Sequence, residues 1–425
     1  MQIFLRYCYV VLSYLLIPLL LLHLFWKGLG NRDYWGRIGE RFGWFSQPGL
    51  KGVIWVHAVS VGEVQAAASL VNNLLKHYPD KRLVLTTMTP TGSDRVRLLF
   101  GNQVTHCYAP FDLAWSVRRF FNWCRPQIVI ILETELWPNL YHECGEREVP
   151  LVLASARVSP KSIGRYRWLV SLFKKALSHG IVIAAQTPAD AERFVSIGAN
   201  PERTHVTGNI KFDFEFPKGV LEQGSKFRQA YMPGRPVWIA ASTHANEEEI
   251  VLEAHKQVRN KFPDALLILV PRHPERFAGV AALLNKQKIS FVRRSSGSTL
   301  EADNIVLLVD TMGELMSFYA AADVAFVAGS LTPDVGGHNL LEPAALQLPM
   351  ITGPYNYNSQ DIADLFHTNG LSAVVTDAES LADTVSALLA DPDECKRQGV
   401  VAEALIKNSR GALDRLLKLL DPLIT

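Results

Sequence analysis

The sequence predicts an α/β protein of two doubly wound domains behind a hydrophobic N-terminal segment. After residue 50, short runs rich in Val, Ile, Leu and Ala alternate with helical stretches, a βαβ rhythm. Continuous apolar runs of this kind suit parallel strands covered by helices on both faces. The rhythm breaks once, over 211–235, and then restarts, which predicts two sheets. Before all of this stands "YCYVVLSYLLIPLLLLHLFW" (7–26), without a single Asp, Glu, Lys or Arg.

That N-terminal run is long enough, at about 20 residues, to cross a hydrocarbon core of roughly 30 Å. A cleaved signal peptide is the rival, but only Arg6 precedes the run and no A-x-A site follows it. Another alternative is a helix lying in the membrane interface, which tolerates Pro18 and His23. Lys27, Arg32, Arg37 and Arg41 follow the run, so the positive-inside rule leaves the rest of the chain in the cytoplasm. Residues 1–27 are thus expected to form a membrane-anchor helix. Tyr34, Trp35, Phe42 and Trp44 lie among these arginines, a mixture suited to lipid headgroups.

The first set of strand-like runs is "GVIWVHAV" (52–59), "RLVLTTMT" (82–89), "QIVIILET" (127–134), "LVLASARV" (151–158) and "GIVIAAQ" (180–186). Helical stretches at 112–124 and 162–178 fall between them. These place a first domain at 28–210. The segment 211–235, with charges, Gly and Pro and no long apolar run, reads as a linker. The second set is "PVWIAAS" (236–242), "ALLILVPR" (265–272), "NIVLLVD" (304–310), "DVAFVAG" (323–329) and "MITGP" (350–354), giving a second domain at 236–425 whose final helical stretch, from about 379 onward, is expected to pack over one or both domains. Ligands of such sheets bind beyond the carboxyl ends of the strands, and the expected site is a cleft between the two domains.

Composition narrows the function. At 425 residues and 48% hydrophobic, the chain can bury two or three cores and is no disordered polymer. Its 43 basic and 41 acidic residues give a net charge of +2, which argues against a uniformly basic nucleic-acid binder. Five scattered cysteines form no CxxC pair and no zinc spacing, a pattern of a reducing compartment. There is no G-x-x-x-x-G-K-[ST], and "DPD" (391–393) reads as a turn rather than a metal site, so no metal or other cofactor is implied.

Polar residues gather at the ends of the predicted strands. The first strand runs into His57, Ser60 and Glu63, and "LETELWPN" supplies Glu133 and Glu135. One such acid is most simply a helix cap, whereas several converging suggest a site. In the second half, "LVPRHPERF" sets Arg272 and His273 between Pro271 and Pro274, and a guanidinium there suits a phosphate or simply a solvated loop. "DTMGELM" offers the backbone N–H groups of Met312, Gly313 and Glu314. "GGHNLLEP" combines Gly336 and Gly337, which permit close backbone approach, with Asn339 as a cap and Glu342 three residues on, where a carboxylate can accept from ribose hydroxyls.

Together "HAVSVGEV", "TTMTPTGSDRV", "ETELWPNL", "GNIKFD", "PRHPERF", "DTMGELM" and "GGHNLLEPAA" resemble the Kdo (3-deoxy-D-manno-octulosonic acid) transferases of lipopolysaccharide synthesis, over essentially the whole chain. The resemblance implies a GT-B fold of two facing Rossmann-like domains, an inner-membrane anchor, CMP-Kdo as donor and a lipid A precursor as acceptor, which the patch of Arg32, Arg37 and Arg41 is expected to dock. It implies Glu63 as catalytic base, Glu133 and Lys211 as the pair stabilising the transition state, and CMP contacts at Pro271, Arg272, Met312 to Glu314 and Asn339, Leu340, Leu341 and Glu342. An inverting transfer needs a base to take the acceptor's proton, and Glu63 in an apolar loop is expected to have a raised pKa. Two other readings share the scaffold: a sugar-nucleotide epimerase, and a membrane-tethered nucleotide-binding module that would not require Glu63.

Overall fold

A computed structural model of the protein describes residues 2–46, 48–133, 135–158, 180–214 and 219–424. The helix expected at 162–178 lies outside the described residues. The chain divides into two compact units, Met1–Glu215 with Ser409–Thr425, and Phe216–Asn408.

The first unit holds a seven-stranded, all-parallel sheet. Its strands are β1 (Val53–His57), β2 (Leu83–Thr87), β3 (Thr105–Tyr108), β4 (Pro126–Leu132), β5 (Leu151–Ala156), β6 (Ile181–Ala185) and β7 (Thr204–Val206), in the order β3-β2-β1-β4-β5-β6-β7. Because successive strand side chains point to opposite faces, β1 feeds two cores. Val53 and Trp55 pack with Phe120 and Phe121 on one face, and Ile54 and Val56 with Leu70 and Val71 on the other. Both faces are dry, so all five residues of β1 are buried.

The second unit repeats the architecture with β8 (Val237–Thr243), β9 (Leu266–Pro271), β10 (Phe291–Arg293), β11 (Val306–Leu308), β12 (Val324–Val327), β13 (Met350–Thr352) and β14 (Ser372–Val374), ordered β10-β11-β9-β8-β12-β13-β14. Here too alternation divides one strand between two cores, with Trp238 and Ala240 on one face and Val237, Ile239 and Ala241 on the other. In each sheet the strand order reverses at one junction, β1/β4 in the first and β8/β12 in the second. Connections leave that junction in opposite directions, which opens a crevice at the carboxyl ends of its strands.

Three expectations about organisation need correction. The C-terminal end does not stay with the second unit: helix Ala412–Ile424 buries Leu413, Leu416, Leu420 and Ile424 against the first sheet's core. Asp213 accepts from the N–H groups of Gly411 and Leu413, both at 2.6 Å, and so fixes where this helix begins. At roughly 1.5–3 kcal/mol for each fully buried aliphatic side chain, this face outweighs loop closure, whose cost grows by only about 0.6 kcal/mol per doubling of length. The stretch 211–235 is not a linker throughout. Ile210–Phe212 is a 3₁₀ turn of the first unit, and helix Val220–Tyr231 packs in the second, its Phe227 stacked on Phe318 with centroids 4.8 Å apart.

Third, the N-terminal run is not one helix. Among the described residues no single helix is long and apolar enough to cross a membrane, whereas Arg6–Leu15 and Ile17–Gly30 meet that test together as a pair bent by 45°. Pro18 stands in the first turn of the second helix and, lacking an N–H, cannot continue the hydrogen-bond ladder across the bend. Leu12, Leu15, Leu19, Leu22, Phe25 and Trp26 are exposed along this pair. Leu24 instead joins Phe42, Phe111 and Leu113 in a small core, and Tyr9 donates to Asp112 (2.8 Å), which also accepts from the first N–H groups of helix Pro138–Glu146.

Candidate active site

At the β1/β4 junction the first unit gathers carboxylates. Glu63 sits in the opening turn of helix Val61–Ala66, where the Ser60 hydroxyl accepts from its N–H while Glu63 Oε2 accepts from Val59 N–H at 2.8 Å. The Ser-x-x-Glu spacing therefore does act as a cap, with the carboxylate turned back to the end of the strand. Burial, then the nearby charge of Glu133, pushes the Glu63 carboxyl up to about 8, although the Val59 and Ser60 hydrogen bonds pull the other way. Near neutral pH this acid exchanges a proton readily.

Glu133 leaves β4 with φ of +56°, a left-handed conformation that a residue with a β-carbon adopts at some cost. Its Oε1 meets Lys211 Nζ at 2.8 Å. Ser155, also left-handed at +55°, places its hydroxyl to accept from Ile210 N–H, and Asn209 accepts from Lys211 N–H at 3.0 Å. Both lie behind the 3₁₀ turn that delivers the lysine; Asn209 falls within the motif GNIKFD, whereas no motif singled out Ser155. Glu135 is held by Trp137 Nε1 at 2.7 Å, and burial lifts its pKa above the usual carboxylate range despite that bond.

His57, expected among the polar strand ends, is instead an interior residue. It is 1% exposed, bonded through Nδ1 to Thr86 at 2.8 Å, and burial lowers its pKa to about 4. The last side chain of β1 points into the sheet's cover, which period-two alternation forces once Trp55 points inward.

Arg41 also departs from expectation. It is 1% exposed, donates to Met88 O at 3.0 Å and stacks on Tyr108 with 4.1 Å to the centroid, so it holds the fold rather than presenting charge. Arg37 is exposed, bonded to Ser93 Oγ (2.7 Å) and placed over Tyr108. It lines an open groove of roughly 500 Å³ with Trp44, Phe45, His106 and Trp123 beside edge strand β3. Arg32 is exposed.

In the second unit Pro271 ends β9, and Arg272 follows it exposed, its N–H donating to Thr243 O at 3.0 Å. Gly313 has φ of +87° between exposed Met312 and Glu314, whose carboxylate is engaged by Arg294 (2.8 Å) and by Thr311. Gly336 (φ +90°) and Gly337 (φ +76°) are required as glycines: a Cβ would come within 2.2 Å of the Tyr357 ring at the first and 2.5 Å of Asn356 Oδ1 at the second. Asn339 accepts from Leu341 N–H and donates to Glu342 Oε1, both at 3.1 Å, so the expected cap and carboxylate are joined in one pair. Leu340 and Leu341 are buried beneath it.

Two further features of this unit escaped the sequence reading. Glu247 is fully buried and accepts from four backbone N–H groups, those of His244, Gly329, Ser330 and Leu331, which ties the end of β8 to the loop after β12. His244 and His338 meet there, Nε2 to Nε2, at 2.9 Å. The only local signal for the first was an acid placed just after a strand-ending "STH". Among the described residues no set of three or more His, Cys, Asp or Glu side chains is arranged to hold a metal ion.

Comparison with known proteins identifies the chemistry. Residues 36–214 match the family model described as 3-deoxy-D-manno-octulosonic-acid transferase, and residues 239–404 that of glycosyl transferases group 1. A 3-deoxy-D-manno-octulosonic acid transferase of Haemophilus influenzae is 42% identical over 421 residues, covering 98% of both chains. The chain belongs to the 3-deoxy-D-manno-octulosonic acid transferases. It is therefore a glycosyltransferase. A second relative with the same description, from Bordetella pertussis, is 36% identical over 91% of this chain and 90% of its own. Among solved structures, a glycosyltransferase from Rickettsia africae ESF-5 superposes with a TM-score of 0.55 at 13% identity, covering 88% of the transferase and 99% of that chain. This likeness and the two parallel-sheet units assign the transferase to the GT-B fold. A UDP-GlcNAc 2-epimerase from Neisseria meningitidis superposes as well, at 0.54 and 13%, covering 87% of the transferase and 99% of that chain. The scaffold thus serves both chemistries, and the sequence relation separates them.

Proposed function

We propose that the enzyme moves Kdo from CMP-Kdo to a lipid A precursor, with inversion, at the cytoplasmic face of the inner membrane. The observation that carries the mechanism is Glu63, a carboxyl raised to about 8 at the carboxyl end of β1. In this reading it takes the proton from the acceptor hydroxyl as that oxygen attacks the anomeric carbon. The Glu133–Lys211 pair, held by a left-handed residue and a 3₁₀ turn, supports the charge that develops in the transition state.

Donor binding falls to the second unit. Pro271 and Arg272, the turn at Met312, Gly313 and Glu314, and the loop from Gly336 to Glu342 are assigned to CMP, with Arg272 rather than a metal offsetting the charge of the departing phosphate. For the acceptor, Arg37 and its aromatic groove suit a phosphorylated sugar headgroup, and the exposed apolar face of the bent N-terminal pair suits a lipid surface. Arg32 supplements that surface, whereas Arg41 does not.

Mass spectrometry of a lipid A precursor incubated with CMP-Kdo and the purified enzyme tests donor, acceptor and product number together. The expected result is a mass increase of one or more Kdo units that requires Glu63; an unmodified lipid despite CMP release would overturn the acceptor assignment.

A further inference from the structure

Three imidazoles crowd the carboxyl ends of β8, β9 and β12. His244 and His338 lie nearly parallel, edge to edge, with centroids 5.1 Å apart and rings inclined by 13°, and His273 presents its ring nearly perpendicular to His244 at 5.2 Å. A nitrogen-to-nitrogen contact of 2.9 Å requires one ring to donate and the other to accept, so the pair already shares a proton along Nε2–Nε2.

The arrangement is built, not incidental. Glu247 anchors the backbone of His244 and the loop after β12 in one carboxylate. Gly329, at φ +72°, leaves the space in which a Cβ would lie 2.7 Å from the His338 ring. Both devices serve to bring these two side chains together.

The charges around the rings are unbalanced. Arg272 and Arg276 face them, and the three rings oppose one another. The neighbouring acids are engaged: Glu247 by four backbone N–H groups, Glu248 by Arg276 at 2.8 Å and by Thr243, and Glu275 lies 3.9 Å from the outer nitrogen of His273. Burial first, then His273 and Arg272, lowers His244 to about 4, and burial, Arg272 and His244 lower His338 to about 3. The free protein therefore disfavours the charged form of His244 and His338, which lie beside the Arg272 guanidinium. An entering anion reverses that balance, because a negative charge favours the protonated form of each ring it touches.

We propose that His244, His338 and His273 form, with Arg272, an anion subsite that takes up a proton when the phosphate or the carboxylate of an acidic nucleotide sugar binds. This rests on the donor reading of the second unit, and it adds three positioning residues and a proton linkage to that reading. Since the complex holds more protons than the free protein, affinity rises as pH falls through the raised pKa of the bound state.

The test follows the histidine Cε1–H resonances of the full-length enzyme in detergent through a pH titration, alone and saturated with CMP, with free Kdo acid, or with inorganic phosphate. The expected result is an upward movement of the His244 and His338 midpoints by about one unit or more, with affinity about tenfold tighter for each unit gained. A movement with CMP or phosphate assigns the nucleotide phosphate, and one that needs the sugar acid assigns the carboxylate. His338→Gln should abolish the pH dependence of binding, and His273→Gln, at an exposed position that the fold tolerates, should reduce it. CMP binding with midpoints unmoved by CMP, by phosphate and by Kdo acid alike overturns the subsite and leaves the donor reading standing. No CMP binding by the folded wild-type enzyme overturns both.

Discussion

The two units place opposite kinds of titratable group, acids in one and bases in the other, at equivalent positions. In the first, the β1/β4 junction carries Glu63, Glu133 and Glu135, whose burial and mutual repulsion raise the pKa values of Glu63 and Glu135. In the second, the β8/β12 junction carries His244 and His338, with Arg272 and His273 just beyond β9, and the same causes depress the rings. Both sheets solve the problem of exposed strand ends alike, so topology decides where the polar groups gather. The residue type just past each strand decides the sign. One unit is suited to accept a proton, the other to hold negative charge.

The most severe way to break this contrast is Glu63→Gln. It should lower transfer by about a hundredfold or more while CMP binding stays near the wild-type value; near-normal turnover in a radiolabel transfer assay would refute Glu63 as the base. Next in size is the effect of pH. In the proposed mechanism the ionised carboxylate acts as the base, and with its pKa raised to about 8, kcat/KM should climb about tenfold per unit below that value and level off above it. Lys211→Met removes the partner of Glu133 and should both lower kcat by about tenfold and move the midpoint upward, since Glu133 then repels Glu63 more strongly. An unmoved midpoint would disconnect the ion pair from the base.

On the second unit, Gly336→Ala forces a Cβ onto Tyr357 at positive φ, and CMP affinity should fall by about tenfold, with KM rather than kcat affected. The smallest effects separate two arginines that look alike in sequence. Arg41→Leu should cost about 1–3 kcal/mol of stability by denaturant unfolding with vesicle binding unchanged, because its partners are internal. Arg32→Glu should leave stability alone and weaken binding to anionic vesicles by about 2 kcal/mol, roughly 1 kcal/mol per unit of charge. The reverse outcome would restore Arg41 to the membrane patch.

Legibility followed burial. Each strand anticipated from an apolar run proved interior to its sheet, whereas β3, β7, β10 and β14 gave no such run and form the four edges. An edge strand has one neighbour and a wet side, so "THV" and "FVR" are only partly buried and need no continuous apolar sequence. The same logic explains the terminal helix. Its apolar face was readable, but which core it would cover was not.

What the sequence determined by itself was the pair of parallel sheets, the glycines at 336 and 337, and the acids that follow β1 and β4, because strand period, backbone freedom and side-chain charge are local properties. Only the tertiary structure decided that Glu63 is raised by Glu133, that Lys211 closes on Glu133, that His57 and Arg41 are interior, and that His244 meets His338. Each of these depends on which distant strands become neighbours, and on how much water their packing leaves at the ends.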